Sequence, residues 1–333
     1  LALELAASQI EEGITWQELI DDLSEEVARL ESLNIYSPTD NIAEGQQRKY
    51  SLLACFNLSL KQLSDEQRDQ FAWLGVIPED VSLTELMAET LWQVTSRQAR
   101  AILRTLKGKA LVLAVALQPD VRPSYLMHDL MHDLAQRLLT MPRVPTTSGD
   151  LPGLELTKAE AHRQVLSLYK AKTNDNQWHT LPDDGYIYTY LTWHMSEARQ
   201  PEMIHGLLKE TNEIGLNGWY EACEAVAQPA VFVKDVGRAW GLAVENYQEN
   251  SGRSIALLFR YALIRSSINS LVSNVPSNLL GALLGSGIWQ VSQGLAYAQQ
   301  AQESRQKEAY ISAVAPYLTE DLLSESITTV NQM

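Results

Sequence analysis

The feature that most constrains the fold of this chain is a single change of hydrophobic pattern near residue 110. Apolar residues recur at helical spacing before and after this point, whereas Ala110–Leu117 is an unbroken run of Val, Leu and Ala between Gly108 and Pro119. A short apolar run with such boundaries is typical of a buried strand. Ser124–Met127 is a second short extended segment. The two segments together predict one β-hairpin in a chain that is otherwise helical.

Helices are predicted on both sides of the hairpin from apolar spacing and capping residues. Thr15 with Glu18 has the spacing of a capping box, and Ser64 and Ser96 are predicted N-caps of later helices. The predicted helices cover 1–13, 15–33, 52–63, 64–74, 82–92, 96–107, 130–139 and 157–169, with further helices to the end. Helices followed by a hairpin and a closing helix predict a winged helix-turn-helix.

The predicted fold is mainly α and has four regions. A turn-rich stretch at 34–47 is a predicted linker, and 141–153, with three Pro and two Gly, is a predicted boundary. The regions are a first helical domain at 1–45, a winged-helix domain with a short β-hairpin at 46–142, a second helical domain at 154–245 and an α-solenoid at 246–333. A TPR-like or HEAT-like solenoid is predicted because apolar-Pro motifs recur at Pro276 and Pro316, 40 residues apart. A plain helical bundle is the alternative for that region.

Charge and cysteine content exclude several classes of protein. The chain has 26 Lys and Arg against 41 Asp and Glu, a formal charge of −15, which argues against nucleic acid or anionic membranes as partners. Cys55 and Cys223 are far apart and lack metal-binding spacing, so we expect a reducing, cytoplasmic location. The longest apolar stretches, such as 110–117, are too short to cross a bilayer. Because the chain begins at Leu1 without Met or a signal peptide, we expect it to be incomplete at its N-terminus.

The segment 125–135, Tyr-Leu-Met-His-Asp-Leu-Met-His-Asp-Leu-Ala, carries the candidate site. His128 and His132 lie one helical turn apart, as do Asp129 and Asp133, which is a spacing used by zinc sites. No general-base Glu lies between the histidines and no third ligand cluster is evident, so neither a metal site nor a catalytic residue is predicted. His128 falls where extended chain turns into helix, and there an imidazole N–H and free backbone N–H groups can bind phosphate. His132 is predicted to be a helix-surface or packing residue.

The sequence Met127-His128-Asp129-Leu130 resembles the MHD motif of the signal-transducing (STAND-type) NTPases of the NB-ARC family. That family includes plant disease-resistance proteins and the apoptotic protease-activating factor. Further resemblances to its nucleotide-binding, winged-helix and second helical domains are found at 1–7, 51–64, 71–80, 91–92, 183–198 and 229–235. They imply that 1–45 holds the end of the nucleotide-binding module as well as the first helical domain. The resemblance covers residues 1–240, and the solenoid is compatible with it.

The resemblance implies that this chain is the regulatory arm of a nucleotide switch. In the family, the MHD histidine contacts the β-phosphate of ADP in a closed state, and exchange for ATP with Mg²⁺ releases that contact. His128 would make the contact here, with Met127 and Asp129 supporting it. A protein or peptide trigger on the solenoid and a homo-oligomer of the active state are also implied.

The chain departs from the family in one respect. It contains no Gly-x-x-x-x-Gly-Lys-Ser/Thr, which in that family cradles the phosphates. We therefore expect a missing N-terminal domain to supply the nucleotide pocket of an ATPase-type switch. These residues alone are not expected to bind ADP or ATP, or to hydrolyse ATP.

A second function remains open, namely a winged-helix transcriptional regulator with a helical ligand-sensing domain. Arg97, Arg100, Arg104 and Lys107 recur at helical spacing on the predicted recognition helix. They could contact DNA phosphates, or they could face an acidic neighbouring domain. A hydrolase that uses His128 is disfavoured, because no nucleophile or second acid has a recognisable relation to it.

Overall fold

The computed structural model describes residues 2–11, 13–32, 54–115, 123–145, 150–247, 251–273, 275–287, 289, 291–301 and 304–318. Over these residues the chain is mainly helical and contains one small two-stranded sheet, which confirms the mainly α prediction. The predicted linker at 34–47 lies outside the described residues. None of the described helices has both the length and the apolar character that a bilayer crossing requires.

The chain divides into two compact units, Leu1–Leu168 and Tyr169–Met333. The helices of the first unit are α1 (Ala2–Glu11), α2 (Trp16–Ser32), α3 (54–61), α4 (Asp65–Trp73), α5 (Glu85–Trp92), α6 (Ser96–Gly108), α7 (Asp129–Thr140) and α8 (Lys158–Lys170), of which α8 runs across the division. The domain limits proposed from sequence, near residue 45 and at 142–154, remain predictions.

Local capping sets where several of these helices begin. At α2 the backbone N–H of Thr15 donates to Glu18 Oε2 at 2.9 Å and the N–H of Glu18 donates to Thr15 Oγ1 at 3.3 Å, which is the predicted capping box. Ser64 caps α4 in the same way. The predicted cap of α6 is wrong by one position. Thr95 is the N-cap, and Ser96 is the first helical residue.

The predicted hairpin is present but short. It consists of β1 (Leu113–Ala114) and β2 (Tyr125–Leu126), paired antiparallel. Leu83 also pairs with Tyr125, through N–H to carbonyl hydrogen bonds of 2.7 and 3.0 Å. Because the backbone of Leu83 is engaged with β2, α5 begins at Glu85 and not at the predicted Ser82.

Helix α7 packs against α4 and against the 3-10 turn Leu74–Val76 that follows α4. Gly75 allows this close approach, because a Cβ there would lie 2.4 Å from the backbone N of Gln136. Met131 and Ala135 of α7 are fully buried. The first turns of α7 are therefore held against the segment that follows α4.

The described part of the second unit consists of helices joined by turns, and its β pairing is limited to one isolated bridge between Thr211 and Asn217. Its remaining helices are α9 (Ile187–Glu197), α10 (Pro201–Leu207), α11 (Gly218–Ala225), α12 (Pro229–Glu245), α13 (Ser251–Ser273), α14 (Ser277–Gly285), α15 (Val291–Gln300) and α16 (Ser304–Val314). Helix α12 packs against α9, α10, α11, α13 and α15. The solenoid assignment of 246–333 stays a prediction.

An aromatic and polar core lies around α12. Trp219 stacks on Tyr188 with ring centroids 5.0 Å apart, and its Nε1–H donates to the buried carboxylate of Asp235 at 2.8 Å. Burial raises the pKa of Asp235 to about 6, against the lowering effect of hydrogen bonds from Thr192 and Trp219. This polar group is satisfied inside the unit, as buried polar groups generally are.

Candidate functional site

His128 is the N-cap residue of α7. Its backbone is extended, with φ −69° and ψ 143°, and its Nδ1 accepts the N–H of Leu130 at 3.2 Å. Because Nδ1 is the acceptor, the neutral ring carries its proton on Nε2. The side chain is exposed. His128 therefore offers one N–H donor, at Nε2, to an anion in solution or on another domain.

Three backbone N–H groups at this helix start already have hydrogen-bond acceptors. The N–H of Leu130 donates to the His128 ring, and the N–H groups of Met131 and His132 donate to the His128 carbonyl at 2.7 and 3.0 Å. The expectation that free backbone N–H groups assist phosphate binding is therefore wrong for these three residues. The side-chain donor that the arrangement can supply to an anion is the imidazole Nε2–H of His128.

Met127 and Asp129 flank this donor. Met127 is half-buried and Asp129 is exposed. Asp129 is the first residue of α7, where a carboxylate interacts favourably with the positive end of the helix dipole. Both residues are sequence neighbours of His128 at the start of α7.

His132 has a different environment from His128. Its side chain is only 4% exposed, and its Nε2 lies 2.6 Å from the carbonyl oxygen of Ile77, to which it donates. Of the two positions predicted for His132, surface or packing, the structure shows the packed one. The reason is that the segment after Ile77 folds over the second turn of α7. Since His128 has an extended backbone and His132 a helical one, the pair does not have the geometry of a zinc-binding helix.

Glu79 belongs to the same neighbourhood and was not singled out from sequence. Its Oε1 lies 3.6 Å from Nδ1 of His132. A cavity of about 10 Å³ lies between this segment and the start of α7, and Glu79, Met127, Asp129 and His132 all line it. A space of this size admits one water molecule or ion and not a nucleotide. The sequence around His132 does not predict that this segment lies against it, because Ile77 and His132 are 55 positions apart.

The basic stripe of α6 is only partly available. Arg100 forms a bidentate ion pair with buried Glu85 of α5, at 2.7 and 2.8 Å. Arg97, Arg104 and Lys107 are exposed. Of the four cations considered for phosphate contacts, Arg100 is therefore already paired, and its ion pair joins α5 to α6.

Comparison with known proteins adds one finding. Residues 158–215 match a family model described as the APAF-1 helical domain. This stretch runs from α8 through α10 and supports an APAF-1-like helical domain, so the match is consistent with a STAND-type regulatory region. No curated protein matches the chain.

Proposed function

We propose that this chain is the regulatory arm of a STAND-type nucleotide switch in which His128 contacts the β-phosphate of ADP. The observation that supports this proposal most directly is the exposed N-cap position of His128. Its Nδ1 accepts the N–H of Leu130, which leaves Nε2–H as a donor. The match of residues 158–215 to the APAF-1 helical domain supports the same assignment.

The proposed mechanism is a differential contact. Neutral imidazole donates Nε2–H to a phosphate oxygen in the closed state, without the cost of burying a full charge. One charge-assisted hydrogen bond contributes about 1.5–3 kcal/mol, which shifts a two-state balance roughly ten- to a hundredfold. ADP shifts the equilibrium toward the closed state only to the extent that it binds the closed state more tightly than the open one. A nucleotide-binding domain outside these residues would hold the nucleotide and Mg²⁺, while Met127 and Asp129 position His128.

The order of elements supports the winged-helix part of the proposal. The hairpin lies between α6 and α7, and Leu83 extends its pairing, which supports a winged helix over 46–142. We propose that the solenoid at 246–333 receives a protein or peptide trigger. Homo-oligomerisation on activation and a cytoplasmic location belong to the same proposal.

The test uses His128→Ala and His128→Ser in the protein that includes the nucleotide-binding domain. Serine keeps an N-cap acceptor, whereas alanine removes it at a cost of about 1 kcal/mol in stability. We expect both variants to lose bound ADP, with release about ten- to a hundredfold faster, but only alanine to lower stability. Nucleotide content by chromatography, release kinetics and urea denaturation check this.

Thr140→Ala, at the exposed far end of α7, is the matched control and should retain ADP. Wild-type ADP retention by His128→Ser would show that His128 only caps the helix, and the proposed phosphate contact would then be wrong.

The alternative is a DNA-binding regulator. The exposed Arg97, Arg104 and Lys107 favour it, whereas the pairing of Arg100 with Glu85 and the formal charge of −15 count against it. We therefore keep it as the second candidate.

A further inference from the structure

The imidazole of His132 has one satisfied nitrogen and one unsatisfied nitrogen. Nε2 donates to the carbonyl of Ile77 at 2.6 Å, whereas Nδ1 is buried and has no hydrogen-bond partner. With the proton on Nε2, Nδ1 holds a lone pair. A buried acceptor without a partner is unfavourable, so such a group requires an explanation.

The orientation of this ring is the one that metal-binding histidines use. Their second ring nitrogen generally donates to a carboxylate or a backbone carbonyl, which fixes the tautomer and aims the other nitrogen at the metal. Here the carbonyl is that of Ile77, whose own N–H donates to Leu74 within the 3-10 turn. The hydrogen bond to the Ile77 carbonyl therefore fixes the ring of His132 and the direction of its Nδ1 lone pair.

Two carboxylates, those of Glu79 and Asp133, lie near this imidazole ring. One ligand atom from each of Glu79, His132 and Asp133 lies within 4.8 Å of the others, and Glu79 Oε1 is 3.6 Å from His132 Nδ1. Bonds of about 2.0–2.1 Å in a tetrahedral zinc site place its ligands about 3.4 Å apart. Both carboxylates are exposed, so small side-chain rotations close the remaining distances and an ion can enter from solvent.

We propose that Glu79, His132 and Asp133 bind one divalent transition-metal ion, for which Zn²⁺ is the probe. One nitrogen and two carboxylate oxygens suit Zn²⁺, whereas Mg²⁺ and Ca²⁺ prefer oxygen ligands alone. Three protein ligands leave a fourth position for water. Two of the three, Glu79 and His132, line the cavity of about 10 Å³, which has the size of one water molecule. The ion joins the segment at Glu79 to α7, independently of any nucleotide contact by His128.

The experiment is calorimetric titration of Zn²⁺ into the chelator-treated 333-residue chain, with Tm measured alongside. We expect one Zn²⁺ per chain, an upward shift of Tm, and no competition from equimolar Mg²⁺. Glu79→Gln and Asp133→Asn remove a ligand charge at exposed positions, where the fold tolerates the change. Each should weaken Zn²⁺ binding at least about tenfold and abolish the Tm shift.

Asp80→Asn is the matched control. It removes the same charge beside Glu79, it is exposed, and its left-handed φ of 60° is one that Asn adopts readily. We expect it to bind Zn²⁺ as the wild type does, and His128→Ser to do the same. Absence of Zn²⁺ binding by the wild type, unchanged affinity in Glu79→Gln and Asp133→Asn, or an equal loss in Asp80→Asn or His128→Ser would each overturn the proposal.

Discussion

At the scale of single residues, Glu26 of α2 is a buried carboxylate, whereas its neighbours Asp22 and Glu25 are exposed. Its side chain is 3% exposed and accepts hydrogen bonds from Arg29 at 2.7 Å, Asn57 at 2.9 Å and Lys61 at 2.6 Å. Burial is the largest influence and raises the pKa, but the hydrogen bonds from these three side chains and the positive charge of Lys61 together outweigh it, and the pKa of Glu26 is lowered to about 2. Arg29 also donates to Asp150 at 2.8 Å. The cluster thus ties α2 to α3 and to the segment at Asp150.

This lowered pKa predicts a pH-dependent stability. A carboxylate whose folded pKa lies below its ordinary 4.5 stabilises the fold above that pH, and the contribution is lost as the pH falls toward 2. We expect Glu26→Gln to lower the free energy of unfolding by about 1–3 kcal/mol at neutral pH. The deficit should shrink as the pH falls from about 5 to about 2. Urea denaturation at a series of pH values measures this.

Glu25→Gln removes an exposed acid from the neighbouring position and serves as the control, with an expected effect within about 0.5 kcal/mol. A deficit for Glu26→Gln that stays constant over the acidic range would contradict the assignment of the low pKa to this cluster.

At the scale of elements, the α5–α6 connection shows why a helix start can be misplaced by one residue. Gln93 ends α5 in the left-handed conformation, with φ 53°. Thr95 then has the extended backbone of an N-cap, and its side chain accepts the N–H of Gln98. The Ser96 hydroxyl instead donates to Glu89 Oε2 at 2.5 Å. Thr and Ser are both good N-caps, so residue type alone does not choose between Thr95 and Ser96. The choice depends on the length of the connection from Gln93 to α6.

The two positions make a matched pair for mutation. We expect Thr95→Ala to lower the free energy of unfolding by about 1 kcal/mol, because it removes the cap of α6. Ser96→Ala should change it by no more than about 0.5 kcal/mol. Urea denaturation of both variants checks this, and a larger loss for Ser96→Ala would restore the sequence-based assignment.

At the scale of the whole molecule, net charge is an argument against the DNA-binding function. A formal charge of −15 opposes the neutralisation of DNA phosphates, and the exposed cations Arg97, Arg104 and Lys107 of α6 form only a local patch. The match at 158–215 concerns a helical domain and gives no support to DNA binding. Both considerations favour the regulatory arm.

The corresponding prediction is a negative binding result. Fluorescence anisotropy on mixed duplex DNA at low salt should detect no micromolar complex. Binding in that range with a steep salt dependence, weakened by Arg97→Ala and Arg104→Ala together, would instead favour the DNA-binding regulator.

The sequence by itself determined the helices, the short hairpin and the change of backbone at His128. These features depend on residues two to four positions apart, through apolar period, capping and turn chemistry. The capping box of Thr15 and Glu18 is such a case, and the helical composition of both units follows from the same local rules.

Only the tertiary structure decided which groups are buried and what they contact. Met127-His128-Asp129-Leu130 and Met131-His132-Asp133-Leu134 are identical tetrapeptides, yet the first histidine is exposed and the second is 4% exposed. Local chemistry places the first histidine at the start of the helix, but it does not determine which of the two is buried. The difference arises because a segment 55 positions away folds over the second histidine and places a carbonyl on its ring.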